Sequence, residues 1–138
     1  MEKQRNPSPG TPKASPQDCP IFLTLSLIAN KWSIRIMELL LLADGNTLRF
    51  SQVKKALPGI TQRELTKRLR EFETAGIVTR RVYAEMPLRV EYTLTALGRS
   101  LCDPIQALSR WAEKYGARVQ QKRKEYAARN RPPQESDI

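Results

Sequence analysis

Apolar residues recur along this chain with two spacings, and the change from one to the other divides it into elements. Leu65, Leu69 and Phe72 stand at i, i+4 and i+7, one face of a helix. Trp32, Ile36, Leu39, Leu40 and Ala43 share a face in the same way, as do Phe50, Val53 and Leu57. Between Ile77 and Leu94 the pattern changes. IVTRRVYA and LRVEYTL are β-branched and aromatic runs on either side of Glu85-Met86-Pro87, which predicts a hairpin. After it the helical period returns through Leu97, Leu101, Ile105, Leu108, Trp111, Ala112 and Tyr115. Pro104 lies inside that run and predicts a kink or a split, because proline removes a backbone donor and crowds the preceding turn. The run from Ile21 to Ala29 is apolar nearly all round, so this short helix is expected to be buried or covered by a partner.

The punctuation fits these elements. Asp18 or Cys19 can cap the first helix, with Pro20 in its first turn. Asn30 can cap the second and Gly45 end it. Ser51 is the expected cap of the third, and Pro58-Gly59 forces a tight turn. Thr61 and Glu64 have the spacing of a capping box, flanked by Ile60 and Leu65 as a hydrophobic staple. Gly76 is placed to end that helix in the left-handed conformation. Thr95 can cap the last helix.

Three helices, a Pro-Gly turn, a fourth helix, a hairpin and a long helix describe a mainly α fold with a small β-hairpin wing, a winged helix-turn-helix. Residues 18–116 are expected to form this domain. Residues 1–17, rich in Pro and Ser, read as a disordered leader, and residues 117–138 as a basic tail, helical at first and disordered after Pro132-Pro133. The apolar faces of the first and last helices are too large for one small monomer to cover, which points to a homodimer. Ile21, Phe22, Leu25, Leu108, Trp111 and Tyr115 are its expected interface residues.

Charge sharpens the picture. The chain of 138 residues carries a formal net charge of +10, which favours a polyanionic partner. On the helix after Pro58-Gly59, Arg63, Lys67 and Arg70 recur opposite the leucines, flanked by Gln62 and Thr66. An apolar stripe seats this helix on the core, and the polar stripe is left to enter a major groove, which accepts one α-helix. Expected contacts to double-stranded DNA are Thr61, Gln62, Arg63, Thr66, Lys67 and Arg70 on this helix, and Arg80, Arg81 and Arg89 on the wing. Arg49 and Ser51, at the start of the third helix, complete the set. Set against this is a solvated helix face with intrahelical pairs such as Glu64 with Arg68.

Several classes are disfavoured. With no histidine, a Ser-His-Asp or Cys-His arrangement cannot be assembled, and the glycines form no phosphate loop. No enzyme, cofactor or metal site is expected from Cys19 and Cys102 at their spacing. An aromatic content of 7% argues against a single-strand binder built on stacked bases. No apolar run reaches the roughly 20 residues that span a bilayer, and no secretory signal is visible, so no membrane partner is expected and the cytoplasm is the expected compartment.

The chain also resembles the HxlR family of winged-helix transcription regulators, relatives of the MarR type. The pieces that match are Cys19-Pro20, Lys31-Trp32, Arg49-Phe50 before SQVKKALPGI, the run LTKRLREFETAGIVTR, and PLRVEYTLTALGRSL through to Trp111. Ala29-Asn30 stands where a pair of glycines often precedes Lys-Trp, which alters the turn there. The resemblance implies a homodimer that binds operator DNA and dimerises through its first and last helices. Cys19 is the one candidate switch. At a helix N-terminus a thiolate is favoured by free N–H groups and the helix dipole, and some regulators of this type sense oxidants or electrophiles with a cysteine near this position. The plain alternative is a small capping residue, and Cys102 reads as core. Two rivals stay open: a winged-helix module for protein contacts, and a nonspecific architectural DNA binder.

Overall fold

The structure, a computed structural model, describes residues 18–132. The leader expected at 1–17 and the tail after Pro132 lie outside the described residues. The chain divides into two compact units between Gly98 and Arg99.

The first unit opens with α1, Pro20–Ile28, and α2, Ser33–Leu42. Cys19 occupies the N-cap position of α1, but its thiol makes no capping bond. Asn30 Oδ1 accepts the Trp32 N–H at 2.8 Å, an Asx turn that launches α2 three residues later. α2 stops at Leu42, ahead of the expected Gly45. Gly45 and Asn46 then take positive φ, 63° and 52°, in a single 3₁₀ turn. The Asn46 amide donates to the Leu41 carbonyl at 3.0 Å and covers the end of α2.

That turn delivers β1, Thr47–Arg49, a strand the sequence pattern did not reveal. α3, Phe50–Ala56, follows with Arg49 at its N-cap, and the Arg49 N–H donates to Gln52 Oε1 at 2.8 Å. Ser51, expected as the cap, is instead the second residue of the helix. Its hydroxyl would need to precede the first helical residue to reach the orphan N–H groups. α4, Gln62–Thr74, leads through a short turn into β2, Val78–Tyr83, and β3, Arg89–Leu94. The three strands form an antiparallel sheet in the order β1-β3-β2, with Leu48 opposite Tyr92 and Arg80 opposite Tyr92 from the other side.

The core of this unit is drawn from α2, α3, α4 and the two longer strands. Ile36, Met37 and Leu40 of α2, Val53 of α3, Leu65, Leu69 and Phe72 of α4, and Val78, Tyr92 and Leu94 of the sheet are buried. Each aliphatic or aromatic side chain so buried stabilises the fold by about 1.5–3 kcal/mol relative to exposure, an upper bound for a compact unfolded chain. The sheet alternates as its period demands. Tyr92 and Leu94 face inward, and the row Thr47–Thr93–Thr79 lies on the other face, where Thr47 Oγ1 and Thr93 Oγ1 are 2.8 Å apart.

The last helix, α5, spans Ala96–Arg129. Thr95 caps it as expected: the Gly98 N–H donates to Thr95 Oγ1 at 3.0 Å. The helix continues through Pro104 as one element, so the split expected there does not occur. One lost hydrogen bond in 34 residues leaves the flanking turns to hold the helix together. In the second unit Cys102 and Ile105 are buried, whereas Leu108 and Trp111 are exposed.

Candidate nucleic-acid interface

The geometry of α4 follows from its two ends. Thr61 has extended backbone, and its Oγ1 accepts the Glu64 N–H at 3.0 Å, half of a capping box. The Glu64 carboxylate does not return the bond. It takes Arg68 Nε at 2.9 Å instead. Ile60 and Leu65 are both buried, as a staple requires. At the other end Gly76 has φ 74°, its N–H donates to the Glu73 carbonyl at 3.1 Å, and the Ile77 N–H donates to the Phe72 carbonyl at 2.9 Å. These two bonds make a Schellman motif, and they turn the chain directly into β2.

Held this way, α4 separates its cations into two groups. Arg68 is largely covered and neutralised by Glu64 at 2.9 Å and Glu71 at 3.1 Å. Arg63, Lys67 and Arg70 are exposed, and among the described residues no carboxylate lies within ion-pair distance of them. Gln62 is exposed and Thr66 half-buried beside them, so the predicted polar stripe forms one open surface. The hydrogen bond from Arg68 holds the Glu64 carboxyl below its ordinary range. Desolvation opposes the shift, while the Arg68 charge, Asn30 and Lys67 reinforce it. The stripe therefore presents uncompensated positive charge with hydrogen-bond donors at helical spacing. This is the charge and shape that a duplex groove takes.

The wing is less uniform than its sequence suggests. Arg80 and Arg81 are exposed. Arg89 is half-buried: its guanidinium lies 3.3 Å from Glu85 and 3.6 Å from Glu91, and stacks over Tyr83. Glu91 makes its ion pair with Arg89 on its own strand and not with an arginine across the strands. Arg49 is exposed at the head of α3, in register with Glu91, and Ser51 is exposed one residue beyond Phe50. One cationic cleft escaped the sequence reading. Lys31, Trp32 and Arg35 line it near the start of α4, and the only signal was Lys31 beside Trp32.

The remaining predicted residues are placed as follows. Ile21, Phe22 and Leu25 of α1 are exposed, Ile21 at 59%. Leu108 and Trp111 of α5 are exposed, Trp111 at 57%, and Tyr115 is half-buried with its ring centroid 5.5 Å from that of Trp111. Cys19 is exposed and Cys102 buried. Burial, with Asp103 beside it, pushes the Cys102 thiol up from its ordinary value. Among the described residues no helix is long and apolar enough to cross a membrane.

A short helix, a tight turn, a cation-striped helix and an antiparallel wing define a winged helix-turn-helix DNA-binding protein. Comparison with known proteins agrees. The family model described as HxlR-like helix-turn-helix matches residues 27–120, and the chain belongs to that family of transcriptional regulators. An uncharacterized HTH-type transcriptional regulator from Methanothermobacter thermautotrophicus is 42% identical over 99 residues, 72% of this chain and 73% of the relative. The HTH-type regulator YdeP of Bacillus subtilis is 42% identical over 103 residues, 75% of this chain and 78% of its own. Among solved structures, the redox regulator HypR in its reduced form superposes with a TM-score of 0.66 at 35% identity, covering 75% of this chain and 99% of that one.

Proposed function

We propose that the chain is a sequence-specific regulator that acts in the cytoplasm as a homodimer, with residues 18–116 as its domain. It represses by occupying a pseudo-palindromic operator. The observation that carries this reading is the uncompensated stripe of Arg63, Lys67 and Arg70 on α4, beside Gln62 and Thr66. Arg63 and Gln62 are suited to bidentate contact with guanine and adenine, each worth about 1–3 kcal/mol of discrimination. Thr61, Thr66, Lys67 and Arg70, with Arg49, Ser51, Arg80 and Arg81, supply phosphate contacts that fix the register. Arg89 acts through the shape of the wing, since its guanidinium is already occupied. Two copies joined through the exposed faces of α1 and α5 would set two α4 helices into successive major grooves, about 34–36 Å apart.

The regulator is further proposed to respond to oxidants or electrophiles through Cys19. Its support is the exposure of that thiol at the head of α1, together with the likeness to HypR.

A gel-shift titration over a range of salt concentrations tests the reading. Lys67→Ala should weaken binding to every duplex, and Arg63→Ala should also change base preference. Unchanged affinity and preference in both variants would remove α4 from the groove. Salt-dependent binding with no sharp footprint would make the protein an architectural binder, and no binding to any duplex would leave a module for protein contacts.

A further inference from the structure

An open cleft of about 410 Å³ is lined by Lys31, Trp32, Arg35, Leu57 and Pro58. We propose that it seats a phosphodiester of the DNA strand bordering the groove that α4 enters, with Lys31 and Arg35 as its cations. The proposal rests on α4 being the groove-reading helix.

Position is the first argument. Asn30 links the head of α2 to the start of α4: its Oδ1 accepts the Trp32 N–H at 2.8 Å, and its side chain is close enough to Glu64, in the first turn of α4, to help hold that carboxyl below its ordinary range. On the other side, Trp32 Cη2 lies 4.0 Å from where a Cβ on Gly59 would sit, in the turn just before Thr61. The cleft is thus fixed to the end of α4 that leads into the stripe.

The chemistry of the lining is the second. Every polar side-chain group around the cleft is a donor: the Lys31 ammonium, the Arg35 guanidinium and the Trp32 indole N–H. No side-chain acceptor is present, so the fitting ligand is acceptor-only and anionic. Lys31 and Arg35 are exposed, and among the described residues neither has a carboxylate in ion-pair distance. The Lys31 ammonium rests 5.0 Å from the Trp32 ring centroid, which holds it at the mouth and leaves its donors free. Leu57 is buried and Pro58 offers no backbone N–H, so the floor is apolar and the attraction between cation and phosphate is screened less than in open water. The lysine over the ring also disfavours stacking of a base there.

The test is fluorescence anisotropy with a random-sequence duplex and a duplex selected for binding, over a range of salt. The variants are Lys31→Met/Arg35→Met, which removes charge and keeps bulk, and Lys31→Arg/Arg35→Lys, which keeps charge. Two lost phosphate contacts should reduce the salt slope by about 1.8 and, at 0.15 M salt, weaken both duplexes by roughly 30-fold, with the ratio between them unchanged. The charge-keeping pair should retain the wild-type slope. A wild-type slope in the methionine pair overturns the proposal, as does an equal loss in both pairs, which would make the cleft structural. If the wild type itself shows no salt-dependent binding, the α4 reading has failed; if it binds and the methionine pair binds identically, only the cleft has failed.

Discussion

Arg89 and Tyr83 are cross-strand partners in the wing, and the guanidinium carbon lies 3.9 Å from the ring centroid. Arg81 approaches the same ring at 4.8 Å, while Glu85 and Glu91 hold Arg89 at 3.3 and 3.6 Å. One of the three wing arginines expected to contact DNA is therefore a brace. Its Nε is buried and has no hydrogen-bond partner among the described residues, so stacking and charge hold it in place.

Arg89→Ala should destabilise the domain by about 1–2 kcal/mol, read as a lower urea midpoint with unchanged slope. Arg89→Lys should recover only part of this, because an ammonium lacks the flat surface that packs on Tyr83. A double-mutant cycle with Tyr83→Leu should give a coupling of about 1 kcal/mol, and a coupling near zero would remove the brace.

Two glycines should respond differently to alanine. Gly76 has φ 74°, and a Cβ there would meet Leu97 Cδ2 at an ordinary 3.7 Å, so the cost is backbone strain of about 1–2 kcal/mol. Gly98 has ordinary φ, but its Cβ would press on the Ile77 carbonyl and lie 2.6 Å from Leu94 Cδ1, both fixed parts of the core. Gly98→Ala should cost more, about 2–3 kcal/mol or above. Thermal unfolding of the two variants checks the order.

Glu64 gives a pH signature. Its carboxyl is held below its ordinary value, chiefly by the Arg68 hydrogen bond. A depressed folded-state value means that the native state binds fewer protons than the unfolded chain. Its contribution is present at neutral pH and is lost as pH falls through the folded value. Glu64→Gln should therefore be less stable than wild type at pH 7, with the difference closing at acid pH. A gap that stays constant under acid would show that the pair with Arg68 contributes nothing.

α4 was legible in the sequence because everything that shapes it is local: a threonine cap, a leucine stripe, a glycine at the exit. The hairpin was legible from its two β-branched runs. β1 was not, since Thr47–Arg49 is too short to show alternation and its partner, Thr93–Glu91, lies more than forty residues away. The cap of α3 was read two residues late because Ser51 is the better cap by residue type, yet the Gln52 side chain satisfies the Arg49 N–H. The candidate site follows the same division. The cation stripe is a matter of spacing on one helix. The fate of Arg89 depends on strand register, and the cleft at Lys31 depends on packing between α2 and the turn before α4, neither of which the sequence pattern displays.

The two cysteines should separate cleanly by reactivity. Cys19 is exposed, whereas Cys102 is buried and its thiol is pushed up by that burial and by Asp103. The thiolate is the nucleophile, so a disulfide reagent at neutral pH should modify one thiol per chain rapidly in the native protein and the second only on unfolding. Cys19→Ser should abolish the fast phase, and Cys102→Ala should leave it intact. With a bound duplex, the oxidant or electrophile should release DNA from the wild type and from Cys102→Ala but not from Cys19→Ser. Fast labelling of Cys19 without release would leave its exposure as described and remove the proposed switch. Equal release from the wild type and Cys19→Ser would remove it too, because the response would then come from elsewhere in the chain.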